Sequence, residues 1–392
     1  MEFARVRNAN CPICSCGTEP VLQLRFGKKL QLPTELELRH CGRDNCLFMA
    51  RGHQSDYDQY YAMVANDSCH QEVSGGIPRS PISKLQKDHL VAALAGFFAT
   101  PRKVLDFGCG GASLLLELAA SFPSSAFCGF DPGPAAQNGA DNAKRMGLPN
   151  LSIADLSECT KRGPYDLVIA SHVIEHVLDL DLIHLLHGLV ADNGLLYVEV
   201  PDSLHYETQP RLEFLYYFDR LHVNHFTPQS LARLVGGYHF GYVTHFEYAF
   251  PYRDGGEYPA LGMLFRKGGA TVEIVSPSIL DGANRYLQQE KERARPVAAM
   301  LDTFEGVLVW GAGDNFYRSA ENGGPLSNLR NIVVLDRRPH EVMIGDRKHQ
   351  TLEPESGIRN HPWPVVVTVS EGRKEISSQV ADIDPGRRVI YI

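Results

Sequence analysis

From residue 83 onward the apolar positions follow two alternating rhythms. Helical spacing begins near Ser83 and runs through Leu85, Leu90, Leu94 and Phe97, which predicts a helix laid over a sheet. Short apolar runs then recur, each closed by a polar residue or proline. They are 104–105 before Asp106, 126–130 before Asp131, 151–154 before Asp155, 165–170 before Ser171 and His172, and 195–200 before Pro201. Near-continuous apolar runs of this length predict strands buried on both faces, as in a parallel α/β sheet. Ligands bind such a sheet at the carboxyl ends of its strands, where these polar residues fall.

The first of these strand ends is the most informative. An apolar run reaches Asp106, turns on Gly108 and Gly110, and becomes an amphipathic helix. Glycine lets the backbone turn sharply and approach a ligand, while the new helix offers it unpaired N–H groups. A dinucleotide fold would place a third glycine where this chain has Ser113, and the acid before the glycines is not part of that fingerprint. The pattern therefore points to S-adenosylmethionine rather than NAD. Asp131 is placed to accept both hydroxyls of a ribose and Asp155 to meet an adenine amino group, with Pro132, Ser171 and His172 completing the expected cofactor set. Taken singly, the glycines also suit a tight turn and the acids a helix cap; their ordered recurrence favours the cofactor.

With these segments in place, the chain resembles the class I S-adenosylmethionine-dependent methyltransferases over residues 82–267. The resemblance rests on 104–111, 129–131, 171–176 and 192–201. It implies that the late runs 242–248 and 261–265 form an antiparallel hairpin closing the sheet.

Composition adds limits. At 392 residues the chain exceeds one ordinary core and suggests two or three domains. Hydrophobic content of 44%, charged content of 21% and a net charge of −8 describe a globular chain without a basic phosphate footprint, so no nucleic-acid partner is expected. The N-terminus lacks an apolar signal core and no apolar stretch is long enough to span a bilayer, which predicts a cytoplasmic protein with no membrane partner. Five of the nine cysteines lie in the first 46 residues. Cys11 and Cys14, spaced by two residues, and Cys41 and Cys46, spaced by four, can close a tetrahedral structural zinc site, with Cys16 as a rival ligand. Unliganded thiols or disulfides are the alternatives.

Two further segments carry polar or aromatic chemistry. The tyrosines of 56–61 either pack this module on the central domain or bring Tyr60 or Tyr61 over the site, and Gly75, Gly76 and Pro78 mark a linker. After the fifth strand, the loop 216–228 holds His222, Asn224 and His225 near the cofactor edge, with Thr227 capping and Pro228 starting a helix toward Gly236. Histidine suits a general base near neutral pH and Asn224 a donor to developing oxyanion charge, although buried histidines bonded to backbone fit the same pattern. Beyond a polar helical linker at 284–293, runs at 306–310, 332–335 and 364–369 repeat a strand-turn-helix plan with Gly311 and Gly313 after the first strand. Phe316 breaks the dinucleotide pattern there, which favours a structural lid.

The whole layout is similar to the sugar C-methyltransferases that act on nucleotide-linked keto deoxysugars. In the loop, Phe218, Asp219, Leu221, Asn224 and His225 align with that family's segment, in which His222, Val223 and Asn224 stand for a tyrosine, a histidine and a glutamate. The resemblance implies an α/β chain with a Rossmann-like methyltransferase sheet, a small N-terminal zinc-binding module and a C-terminal Rossmann-like domain. The expected boundaries are 1–78, 79–268 and 269–392. His225 would be the base, Asn224, His222 and a tyrosine such as Tyr60 would hold the enolate oxygen, and Gly311, Asp314 and Asn315 would meet the nucleotide sugar. O- or N-methylation of another small molecule, a non-catalytic scaffold and, more remotely, a nicotinamide enzyme remain alternatives, and the oligomeric state is not legible.

Overall fold

The central sheet is a seven-stranded mixed sheet whose first strand lies in its interior. In the computed structural model, which describes residues 9–63, 72–74, 77–79, 81–97, 101–209, 211–252, 256–369 and 372–392, the spatial order begins Phe240–Pro251, Glu257–Lys267, Val190–Pro201, Tyr165–Ser171 and continues Lys103–Phe107, Ala126–Phe130, Leu151–Ile153. Gly75 and Gly76 of the expected linker and residues 1–8 lie outside the described residues. Five strands are parallel, and the expected hairpin Phe240–Pro251 with Glu257–Lys267 is antiparallel and joins the edge of Val190–Pro201. The chain reverses direction across the sheet between Lys103–Phe107 and Tyr165–Ser171, and a crevice for ligands opens at such a switch point.

Both faces of this sheet are covered, which explains the uninterrupted apolar runs. Leu105, Val168 and Leu196 point into one core, while their neighbours Val104, Leu167 and Leu195 point into the other. The helix Pro81–Leu94 contributes Leu90 and Leu94 to the second core, as its spacing predicts.

Two smaller sheets flank the central one. Glu19–Arg25, Glu35–Cys41 and Cys46–Ala50 form an antiparallel sheet, and the two residues Asn224–His225 add a fourth strand by pairing with Phe48 and Leu47. The segment expected as a free loop is thus built into the N-terminal sheet. On the other side, Ile332–Leu335, Val307–Trp310, Val365–Val367 and Val389–Tyr391 form a wholly parallel sheet, preceded by the long helix Ile279–Leu301. Ser278 caps that helix by accepting from the Asp281 N–H at 3.2 Å, and Tyr286 packs edge-on against Tyr217 and Phe218.

Buried arginines tie these parts together. Arg220, 1% exposed, donates to the Gly27 carbonyl at 2.7 Å and to Asp314, so one guanidinium joins the N-terminal sheet, the loop after the fifth strand and the helix Asp314–Glu321. Arg318 binds the Phe214 carbonyl at 3.1 Å, Asp219 at 2.5 Å and Glu213 at 2.7 Å. Removing one member of a buried pair strands the other, at a cost of about 3–5 kcal/mol. Arg220→Ala should therefore lower the unfolding free energy by about that amount in urea titration; a loss under ~1 kcal/mol would show that the tie contributes little.

Candidate active site

The turn after Lys103–Phe107 is held by the neighbouring strand. Gly108 and Cys109 N–H groups donate to the Phe130 carbonyl at 2.7 and 2.9 Å, and Gly110 N–H donates to the Asp131 carboxylate at 2.8 Å. Gly108 has φ +79°, and a Cβ there would lie 2.5 Å from Val173 Cγ2, so both backbone conformation and space require glycine. The other Asp131 oxygen accepts from Gly133 N–H at 2.7 Å, which fixes the carboxylate while leaving a lone pair on each oxygen.

This turn forms one end of a cavity of about 950 Å³. Asp106, Gly108, Gly110, Asp131, Pro132, Ser171 and His172, all expected to meet the cofactor, line it. Tyr61, His176, His222 and Tyr216 line its middle, and Gly313, Asp314, Asn315 and Arg318 its far wall. Such a volume sits at the upper end of the roughly 300–1,000 Å³ of small-molecule sites, large enough for a cofactor and an acceptor together.

Charge is arranged along this wall around a buried carboxylate. Glu199, fully buried on the fifth strand, accepts from Gln86 at 2.5 Å, Ser171 at 2.9 Å, Tyr197 and Tyr248 at 2.5 Å each, and lies 3.3 Å from His172 Nε2. Burial opposes its charge, but the His172 imidazolium and the tyrosine hydroxyls hold it down at about 2. His172 in turn is raised to about 10: burial disfavours its proton, yet hydrogen bonds to Glu175 and Glu199 outweigh that. Asp106, 3% exposed, is pushed up to about 8 by burial and by the nearby Asp131 and Glu199 charges.

Several expected residues stand elsewhere. Asp155 is exposed and caps the helix Leu156–Arg162 by accepting from the Glu158 N–H at 2.8 Å; its neighbour Leu156, not Asp155, lines the cavity. Tyr60 is 3% exposed beneath Lys29, whose ammonium lies 5.2 Å from its ring, and Tyr61 takes the place at the cavity, with its hydroxyl 3.0 Å from His176 Nδ1. Asn224 and His225 do not line the cavity, because strand pairing with Phe48 and Leu47 draws them into the interior. Asn224 donates to the Ile174 and Val177 carbonyls at 2.7 and 2.8 Å. His225 Nδ1 lies 3.0 Å from the Tyr206 hydroxyl, and burial lowers this imidazole to about 3; its place away from the cavity is what removes it from contact with an acceptor. His222 does face the cavity; burial and the neighbouring His176 keep it well below the usual imidazole range.

At the N-terminal module the four expected cysteines converge, with an addition. Cys14 and Cys41 sulfurs lie 3.7 Å apart and those of Cys11 and Cys46 4.0 Å apart. The group whose donor atoms all lie within 4.8 Å of one another is Cys11, Cys14, Cys41 and Asp44, so the Asp44 carboxylate competes with Cys46 for a fourth place. Cys16 is outside that group and accepts from Arg43 at 3.4 Å.

Residues 83–245 match the family model described as a methyltransferase domain. The chain carries a class I S-adenosylmethionine-dependent methyltransferase domain. A stretch of 107 residues is 36% identical to the trans-aconitate 2-methyltransferase of Methylobacterium radiotolerans, covering 26% of this chain and 40% of that protein. A 109-residue stretch is 31% identical to the corresponding protein of Methylobacterium nodulans, covering 27% and 41%. The chain thus spans about two-fifths of the length of these curated relatives. A solved S-adenosylmethionine-dependent methyltransferase from Methanosarcina mazei shares 15% identity with a TM-score of 0.37, covering 45% of this chain and 97% of that one. No helix among the described residues is long and apolar enough to cross a membrane.

The raised Asp106 carboxyl, lining the cavity beside the glycine turn, predicts a pH dependence for S-adenosylmethionine binding. Below about pH 8 this carboxyl is mostly protonated, and a sulfonium cation beside it favours the ionised form. Affinity for S-adenosylmethionine measured by calorimetry should rise from pH 6 toward pH ~8 and then level, and Asp106→Asn should flatten that rise. An unchanged slope in the variant would remove Asp106 from this role.

Proposed function

We propose that this chain transfers the methyl group of S-adenosylmethionine to a small oxygenated acceptor seated between the methyltransferase domain and residues 313–318. One observation carries the proposal: a single cavity runs from the Gly108–Gly110 turn, past Tyr61, His176 and His222, to Asp314 and Arg318. Bound S-adenosylmethionine supplies an electrophilic methyl on a sulfonium leaving group. The cradle suits it: Asp131 presents oriented lone pairs for a ribose, and Asp106 and Asp131 bring negative charge to the cationic donor.

The far half of the cavity favours a hydroxylated acceptor over a polycarboxylate. Arg318 is the lining guanidinium among the described residues, and Asp219 and Glu213 occupy two of its nitrogens. Trans-aconitate, the acceptor in the relatives' name, would bring several negative charges to a wall already rich in carboxylates. Acids and imidazoles instead suit the hydroxyls and keto oxygen of a sugar. The acceptor proposed is a nucleotide-linked keto deoxysugar whose sugar ring alone meets this wall, with its diphosphate kept clear of the carboxylates, and which is methylated on the carbon beside its keto group. His222 receives the proton from that carbon, Tyr61 and His176 hold the charge gathering on the oxygen, and the walls align carbon with methyl. His225 and Asn224, enclosed by the N-terminal sheet, act here as braces.

A structural zinc on Cys11, Cys14 and Cys41 belongs to the same proposal. The observed sulfur separations of 3.7 and 4.0 Å bracket the ~3.8 Å edge of a tetrahedron with zinc–sulfur bonds of about 2.3 Å. Cys46→Ser and Asp44→Asn, compared by zinc content per chain, identify the fourth donor: the variant of the true ligand should lose metal.

The acceptor assignment is tested by incubating the protein in deuterated water with methyl-labelled S-adenosylmethionine and a panel of nucleotide-linked keto and hydroxy sugars. Label on carbon with deuterium exchange at that carbon is expected; label on oxygen or nitrogen would replace C-methylation. His222→Ala should bind the cofactor normally yet lose about 10²–10⁴-fold in turnover, the usual reach of a positioned acid–base group. His225→Gln should retain most activity per folded molecule. Full turnover in His222→Ala would remove that residue from the reaction.

A further inference from the structure

We propose that Glu175, His176 and His222 hold a divalent cation at the cavity wall that His176 and His222 line, with Glu175 behind them, and that this cation draws the acceptor oxygen into place. The inference rests on reading the cavity as the methyl-transfer site and adds a cation to it. One donor atom from each of the three residues lies within 4.8 Å of the other two. Of the two Glu175 oxygens, Oε1 lies 3.8 Å from His176 Nε2.

The unmet bonding of these side chains points the same way. Glu175 is 0% exposed and its Oε2 has no hydrogen-bond partner. A buried carboxylate oxygen without a donor is costly, and a cation relieves it. His222 Nδ1 is likewise buried and unpartnered. His176 shows the complementary feature: its Nδ1 lies 2.9 Å from the Leu221 carbonyl and 3.0 Å from the Tyr61 hydroxyl. An Nδ1–H donated to that carbonyl leaves the Nε2 lone pair free, the arrangement found behind metal-bound imidazoles. The remaining Glu175 oxygen accepts from His172 at 3.0 Å, a second outer contact that orients the carboxylate.

The backbone is braced to keep this geometry. Glu175 and His176 sit on the single turn Ile174–His176, and Asn224 clamps the carbonyls of Ile174 and Val177. Because Asn224 is two residues beyond His222, one short segment both supplies a donor and fixes the turn carrying the other two. This gives the unexpected burial of Asn224 a purpose in positioning.

Two imidazoles and one carboxylate suit a borderline first-row cation such as Zn²⁺, Co²⁺ or Fe²⁺ better than Mg²⁺ or Ca²⁺. With three protein donors and the cavity alongside, a position remains open for a keto or hydroxyl oxygen of the acceptor. The cation acts as a Lewis acid, without redox change, and takes the oxyanion charge otherwise left to the imidazoles. With the cation bound, His222 would be a ligand in place of the base assigned to it above, and a lining carboxylate such as Asp58 would take the proton from the activated acceptor.

Co²⁺ titrated into the full chain as purified, followed by calorimetry and visible absorption, tests this directly. One equivalent with the weak bands of nitrogen and oxygen ligation is expected; strong sulfur-to-metal bands would report uptake at the cysteines instead. Glu175→Gln and His222→Ala should each weaken the nitrogen–oxygen site by more than about tenfold, and Tyr61→Phe, an outer contact, should weaken it by less. Circular dichroism confirms that each variant folds. Absence of such a site, or a site that survives both Glu175→Gln and His222→Ala, overturns the proposal. Methyl transfer that proceeds unchanged with a chelator present also overturns it while leaving the proposed function standing, whereas cobalt bound at these residues without any methyl transfer supports the site and counts against the function.

Discussion

The buried carboxylate of Glu199 is the constraint around which the methyltransferase domain is organised. A charge removed from water must be matched by donors, and here they come from the helix Pro81–Leu94 through Gln86, from the fourth strand through Ser171, from its own strand through Tyr197, and from the hairpin through Tyr248. His172 completes the set from the bend after the fourth strand, in a left-handed conformation with φ +54°. That bend leads directly into the turn carrying Glu175 and His176. The hydrogen bonds that neutralise Glu199 therefore also set the direction in which the cavity's middle wall faces.

The second constraint is the pairing of Asn224 and His225 with Leu47 and Phe48. It joins the segment after the fifth strand to the N-terminal sheet, and that segment carries Asp219 and His222 to the cavity and buries Arg220 beside it. Arg220 and Arg318 then close the far wall by holding the helix Asp314–Glu321 against the loop. Residues from three regions of sequence meet at one volume because each buried guanidinium has to find carbonyls or carboxylates from more than one of them.

The sheet was largely legible in the sequence because strands covered on both faces must be apolar throughout, and polar residues can return only at their ends. The glycine turn was legible because Gly108 has both the conformation and the crowding that exclude a side chain. For Asp155 the helix-cap alternative holds, and its signal is Glu158 three residues later, the spacing of a capped N-terminus. A glutamate inside the apolar run 195–200 was equally visible, since an acid buried on both faces has to be paired. The fate of Asn224 and His225 was not legible, because it depends on a partner strand more than 170 residues away and nothing local distinguishes a free loop from an added strand. For the same reason Tyr61 could not be separated from Tyr60, nor Asp44 recognised beside the cysteines.

The crystal structure of the full chain with S-adenosylhomocysteine tests the central claim most directly. The account requires the ribose hydroxyls on Asp131, the amino acid end beside the Gly108–Gly110 turn, and the sulfur directed toward the space bounded by Tyr61, His176 and His222. A cofactor bound elsewhere, or one whose sulfur faces away from those residues, would contradict it.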